Sequence, residues 1–213
     1  MTSSDLASFL LMYFVLLFSL SIHECAHALA ADFCGDQTPR FLGRITLNPL
    51  AHIDPIGTVL LPMIMMLTHI GVLFGWAKPV MVNPHNFRNY RRDDIIVSLA
   101  GIATNLSVAV LVALFIRLMI TLGQPPRGLF GAFLSGLMSI NLLLAVFNIL
   151  PIPPLDGSHV IEHFLSPEML DIYRRMRMFS FIILIVLINT PVFRLLFAIP
   201  YLALCLIAGI HPF

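Results

Sequence analysis

Charge is scarce in this chain. Only 11% of its 213 residues are Asp, Glu, Lys or Arg, against roughly a quarter in a soluble domain. Hydrophobic residues make up 59% and the mean hydropathy is +0.94. That balance excludes an ordinary soluble domain and points to a bilayer. A formal net charge of +1 leaves no basic surface for nucleic acid. Cysteine is sparse and odd in number (Cys25, Cys34, Cys205), which does not suit a disulfide framework. Ala28-Leu29-Ala30 resembles a small-residue cleavage site, but residues 1–8 contain no Lys or Arg, so the basic start of a signal peptide is missing. No repeat period appears, and no linker is long enough to separate domains.

What is abundant is long apolar sequence, over residues 6–31, 56–75, 95–122, 129–150, 178–189 and 192–210. A spanning helix needs about 20 residues. The segments from 95 and 129 qualify outright, and the first qualifies if its polar end lies within the membrane. Asn189-Thr190-Pro191 breaks the last stretch. The expectation is an all-α polytopic membrane protein of about 4–6 transmembrane helices. Residues 1–213 should form one domain, with a core over residues 6–165 and C-terminal helices over 176–210.

Two polar motifs interrupt this sequence. His23-Glu24-Cys25-Ala26-His27 follows the first apolar run, and residues four apart share a helix face, so His23 and His27 can offer two imidazoles to one metal. Glu24 beside that face can take a proton from a water held there. Asn148-Ile149-Leu150-Pro151-Ile152-Pro153-Pro154-Leu155-Asp156-Gly157 follows the fourth run. Asp156 is the best candidate for a third ligand, with Gly157 permitting an unusual turn after prolines that end the helix; the alternative is an ordinary Asp-Gly surface turn. Three protein ligands leave one position for water, the pattern of a hydrolytic zinc site. Ionisable residues at membrane depth cost about 2.5–3.5 kcal/mol each on insertion scales, so a cluster of them needs a purpose. His159-Val160-Ile161-Glu162-His163 reads as an inverted zinc motif, but beside Glu168 and Asp171 it suits a solvated or interfacial helix better.

The behaviour of residues 56–75 decides the topology. If they span, the two motifs end on opposite faces and cannot easily share a metal. If they re-enter, both motif-bearing helices run the same way. Lys and Arg split seven against five between the faces in the first case and nine against three in the second, which fits the positive-inside rule better. Pro62, Thr68 and His69 also suit a short half-helix. The expectation is a re-entrant segment, with both motifs toward the cytoplasmic side.

Phe74-Gly75-Trp76-Ala77-Lys78-Pro79-Val80-Met81-Val82 is rich in β-forming residues. It is expected to form a small membrane-associated β element. Trp76, Lys78 and Pro79 would there hold an extended substrate by strand addition; alternatively Trp76 and Lys78 anchor an interfacial segment. Asn105 and Asn148 are polar residues in apolar helices, suited to interhelical hydrogen bonds or to substrate contacts. His52 suits a role in orienting a loop, or simply satisfies a turn.

Together these residues resemble the site-2 protease family of intramembrane zinc metalloproteases, in its compact form without a PDZ domain. The resemblance rests on His23-Glu24-x-x-His27, Gly101-x-x-x-Asn105, Asn148-x-x-Pro151-x-Pro153-x-Leu155-Asp156-Gly157 and Leu42-Gly43-Arg44-Ile45-Thr46-Leu47-Asn48-Pro49. Ile102 departs from it, standing where the family usually has proline. The resemblance implies one Zn2+ per chain on His23, His27 and Asp156. It also implies Glu24 as general base and Asn148 as a residue positioning substrate or transition state. Implied substrates are single-pass membrane proteins cut within the bilayer, in a prokaryotic plasma membrane; a homo-oligomer is left open. The rival reading is a membrane metal carrier or sensor using the same ligands without hydrolysis.

Overall fold

The computed structural model describes residues 3–68 and 75–211. Helix α1 (Ser3–Cys34) carries the first apolar run and the first polar motif in one piece. It stops at Gly35, whose φ of +113° suits glycine; Gly35 N–H donates to the Asp32 carbonyl and Asp36 N–H to that of Ala31, a Schellman ending. The short α2 (Thr38–Phe41) follows, opened by Pro39. In the loop beyond it, the buried Arg44 guanidinium donates to the Ala51 carbonyl and His52 Nε2 lies 3.0 Å from the Thr46 carbonyl. Asp54 caps the next segment by accepting from Ile56 and Gly57 N–H. That segment is a π-helical stretch, Pro55–Leu60, continued by α3 (Leu61–Thr68).

Helix α4 (Tyr90–Thr121) is capped reciprocally: the Asn89 side chain accepts from Arg92 N–H, and Asp93 accepts from Asn89 N–H. It runs unbroken through Ile102. Then come α5 (Gly128–Asn148), α6 (Asp156–Glu162), α7 (Pro167–Met176), α8 (Ser180–Ile188) and α9 (Pro191–Ala208). Among the described residues four helices are long and apolar enough to cross a membrane: residues 6–34 of α1, and α4, α5 and α9 entire. The stretch 178–189 supplies only the nine-residue α8.

Helix α4 lies centrally, packed against α1, α5, α6 and α9. The core joins Val15 of α1, Ala109, Ala113 and Ile116 of α4, Met138 and Leu142 of α5, and Cys205 and Ala208 of α9. Small residues let the backbones approach closely. Gly136 of α5 faces Met12, and Asn141 Nδ2 donates to Ser19 Oγ at 2.8 Å. Positions thus rise together along α1 and α5, so these two motif-bearing helices are parallel. Helix α4 runs the other way, with Val97 beside His27 and Gly101 beside His23. Arg88 N–H donates to the Cys34 carbonyl, so α1 ends and α4 begins at the same end of the bundle.

No β-strand occurs among the described residues, so the expected β element is not found there. Residues 75–83 are irregular in structure because their inward N–H groups have other partners. Trp76 N–H donates to the Gly57 carbonyl, Lys78 N–H to that of His52, and Val80 N–H to Glu24 Oε2. Phe74 and His69 lie outside the described residues, as do 69–74 of the expected re-entrant stretch.

Candidate metal centre

Helix α1 presents His23 and His27 one turn apart toward α4, both buried. Their Nε2 atoms are 3.0 Å apart, and each is 3.2 Å from Asp156 Oδ2. Asp156 arrives from the first turn of α6, delivered by the proline-rich segment after α5. Gly157 there adopts no positive φ, correcting the expected unusual turn. Its requirement is space: a Cβ would collide with the Ile149 and Leu150 carbonyls.

Each imidazole is fixed from behind. His23 Nδ1 lies 3.2 Å from Asn105 Oδ1, and His27 Nδ1 lies 2.8 Å from the Val97 carbonyl. Nδ1–H donation on both rings leaves the Nε2 lone pairs pointing at the common centre. Asn105, expected among substrate contacts, is instead fully buried behind His23. Gly101 seats both rings, since a Cβ there would lie 2.5 Å from His23 Cε1 and His27 Nε2.

The donor set fits a zinc ion. Two nitrogens and one carboxylate oxygen are ordinary zinc ligands. Asp156 Oδ2 is buried with no hydrogen-bond partner, although it lies within 3.2 Å of two ring nitrogens. Three such atoms, all within 3.2 Å of one another, suit a shared partner. Their triangle has a circumscribed radius of about 1.8 Å, shorter than the roughly 2.0–2.1 Å of a zinc–nitrogen bond. His23, His27 and Asp156 would hold such an ion, which would supply Lewis-acid chemistry there. Among the described residues, His23, His27 and Asp156 are the one cluster of three or more such groups within reach of a common ion.

Two cavities meet at Glu24. One, of about 340 Å³, is mainly apolar and is lined by Leu20, Trp76, Leu144, Phe147 and Phe193, together with His23, Glu24 and Asn148. The other, of about 290 Å³, is more polar and is lined by Glu24, His27, Asp94, Ser98, Asp156 and His159. Pro79 lines the second and Trp76 the first, whereas Lys78 is exposed and lines neither. Asn148 Nδ2 donates to the Leu144 carbonyl of its own helix. The inverted motif is split: His159 faces the polar cavity, while His163 Nε2 sits 2.6 Å from Asp94 Oδ2 and edge-on to Tyr90. Sequence reasoning missed Val97 and Asp94, because backbone acceptors and pairs 69 residues apart leave no local signal.

Residues 117–190 match the description peptidase family M50. Over 180 residues the chain is 37% identical to a Bacillus subtilis (strain 168) protein named "Putative zinc metalloprotease YwhC", covering 83% of this chain and 78% of that one. Over 176 residues it is 35% identical to "Putative zinc metalloprotease Rip2" of Mycolicibacterium smegmatis and 34% identical to the Mycobacterium tuberculosis (strain H37Rv) protein of the same name. These matches cover 82% of this chain and 65% of each relative's length. No solved structure matches the chain significantly. With a histidine pair, a carboxylate and a neighbouring glutamate gathered at one end of an apolar bundle, and a relative this similar along most of both lengths, the chain belongs to peptidase family M50.

Proposed function

We propose that this protein is a multi-pass integral membrane zinc endopeptidase of the site-2 type, cutting single-pass membrane proteins within or beside their transmembrane segments. The observation that carries the reading is the convergence of His23, His27 and Asp156 beside Glu24, inside a bundle of helices long enough to cross a membrane. His23, His27 and Asp156 are the ligands of one Zn2+ per chain. Bound zinc supplies a Lewis acid that polarises water and the scissile carbonyl. Glu24 accepts a proton from the attacking water as its oxygen bonds the carbonyl carbon. It returns a proton to the leaving nitrogen as the C–N bond breaks, giving a carboxylate and an amine. Val80 N–H, 2.9 Å from Glu24 Oε2, orients that carboxylate. Asn148, on the wall of the apolar cavity, holds the substrate backbone or its oxyanion.

The two cavities divide the tasks of a hydrolase in lipid. The apolar one takes the side chains of an unwound transmembrane segment, and the polar one admits water to Glu24. Residues 76, 78 and 80 turn their N–H groups inward; on the other edge Pro79 has no N–H, so an extended substrate would pair with the Pro79 carbonyl and with Met81. On this reading Trp76 shapes the apolar cavity and Pro79 the polar one. Lys78 contributes an exposed charge.

Residues 56–68, the described part of the 56–75 stretch, belong to a re-entrant segment. Two contacts support this: α1 ends where α4 begins, and Thr58 accepts from Tyr13 well down α1. The positive-inside rule then puts the metal end on the cytoplasmic side. Cysteines replacing Arg40 and Arg88 should react from one face and one replacing Arg127 from the other. Labelling of 40 and 88 from opposite faces would overturn the topology.

Glu24→Gln tests the mechanism. It should keep zinc while slowing cleavage of a transmembrane substrate by at least about 100-fold, the lower bound for losing a general base. Full cleavage by this variant would overturn Glu24 as the general base, whereas zinc binding by the unsubstituted protein with no cleavage would favour a metal carrier built on the same ligands.

A further inference from the structure

Helix α7 has no buried residue, yet its apolar side chains gather on one side. At helical spacing Met169, Ile172, Tyr173 and Met176 share a sector, with Leu170 at its margin, while Glu168, Asp171, Arg174 and Arg175 fill the opposite one. Half of the apolar sector is used by the protein: Leu170 is half-buried, and Tyr173 OH donates to the Pro151 carbonyl at 2.9 Å. The other half is bare, with Met169 56%, Ile172 63% and Met176 43% exposed. The chain continues through exposed Met178 and Phe179 into α8, which is apolar after Ser180.

These facts fix both depth and occupant. A ten-residue helix is about 15 Å long. Its C-terminal end stands where apolar sequence begins, and Tyr173 and the Arg174–Glu162 pair (3.3 Å) tie its C-terminal half to the segment that carries Asp156. The bare ridge runs on into the exposed Ile182 and Ile185 of α8. The opposite sector is charged but balanced, with Arg175 2.8 Å from Asp171, so it suits water and draws on no particular headgroup charge.

We infer that α7 lies along the bilayer surface at the metal end, with Met169, Ile172 and Met176 in the boundary between headgroups and acyl chains. Its partner is the lipid surface itself. The helix fastens the Asp156 segment to that surface, because Tyr173 holds Pro151 and Arg174 holds Glu162, on either side of Asp156. This rests on the membrane reading of the proposed function, and the test separates the two.

The full chain, zinc-loaded and reconstituted in phosphatidylcholine vesicles, carries a nitroxide on a cysteine replacing Met169, Ile172, Met176, Asp171, Arg175 or, as a control on a spanning helix, Leu111. Unsubstituted protein gives the background from its buried cysteines. Collision with oxygen should exceed collision with a water-soluble nickel chelate at 169, 172 and 176, less strongly than at 111, and the order should reverse at 171 and 175. Nickel dominance at all five α7 positions with oxygen dominance at 111 overturns this inference alone. Exclusion of both reagents at 169, 172 and 176 overturns it in favour of a protein partner or second copy. Nickel dominance at 111 overturns the membrane reading. If a cysteine variant fails to fold, quenching of an Ile172→Trp variant by brominated lipid, above the Trp76 background, supports the inference, and its absence overturns it.

Discussion

Replacing Gly101 by alanine isolates the metal centre from the fold. The added Cβ would stand 2.5 Å from His23 Cε1 and from His27 Nε2, and 2.7 Å from His23 Nδ1. Ordinary contact begins near 3.4 Å, so one or both rings must retreat by about 0.9 Å, against a tolerance in metal–ligand distances of about 0.2 Å. Both rings are also held from behind by Asn105 and Val97, which closes the easy routes of escape. Disturbing a residue that merely supports a ligand costs 10–100-fold in affinity. Displacing ligands directly should cost at least about 100-fold, or about 2.7 kcal/mol. Helix α4 itself should not suffer, since alanine is favoured over glycine in a helix by about 0.5–1 kcal/mol. Zinc affinity by chelator competition, with circular dichroism on the same sample, reads both quantities. Gly136→Ala is the control: its Cβ also comes within 2.7 Å of a neighbour, but that neighbour is the flexible end of Met12. Wild-type zinc affinity in Gly101→Ala would refute the idea that this glycine seats the imidazoles, as would equal loss in Gly136→Ala.

Asn105→Ala should weaken zinc binding by about 10–100-fold through loss of the acceptor that orients His23, and a substrate role alone would leave zinc affinity unchanged. Replacing His159 and His163 together should leave zinc content intact, because His163 is engaged with Asp94 and His159 lies outside the three-ligand cluster; loss of zinc would reverse the ligand assignment. Burial pushes the carboxyl of the fully buried Asp36 upward, but hydrogen bonds from Thr38, Asn83 and Asn86 hold it below the usual range. A pKa lower in the folded than in the unfolded chain gives stability that is complete above about pH 4 and is lost as pH falls through the folded value. Asp36→Asn should therefore melt lower at pH 7 and lose less of its melting temperature between pH 5 and 3; an unchanged slope in detergent would exclude the effect.

The metal cluster was legible because its chemistry is local: an i, i+4 histidine pair in lipid-like sequence has few other uses. Asp156 needed only a carboxylate beyond a helix-ending proline run. What could not be read were the parts defined by contacts between distant segments. Asn105 could be read as an interhelical hydrogen-bonding residue or as a substrate contact, but its partner, His23, could not be named because it is 82 residues away. Gly157 looked like a turn residue because its true constraint, the carbonyls of residues 149 and 150, exists only once the chain doubles back. The β-rich composition around Trp76 suggested a strand, but residues 75–83 are irregular. Composition cannot say whether such a chain finds a neighbouring strand, and here its inward N–H groups found Gly57, His52 and Glu24.

The polar bookkeeping of the bundle explains why these contacts must be so specific. In hydrocarbon an unpaired polar group costs several kcal/mol, so each must find a partner inside the protein. Asn141 meets Ser19, His27 meets the Val97 carbonyl, and His52 meets Thr46. Among the described residues four buried side-chain atoms have no hydrogen-bond partner, His52 Nδ1, Asn105 Nδ2, Asn141 Oδ1 and Asp156 Oδ2, and of these Asp156 Oδ2 alone lies in a cluster of three potential metal ligands. Keeping the imidazole donors turned outward, toward Asn105 and Val97, leaves the centre short of protons and rich in lone pairs, which is the condition a cation requires. Asn105→Asp sharpens the point. A carboxylate behind His23 should strengthen that imidazole as a ligand and hold zinc at least as well as asparagine, whereas Asn105→Leu, similar in size but without an acceptor, should release it; equal zinc retention by the two would mean that the second hydrogen bond does not set the ligand's orientation.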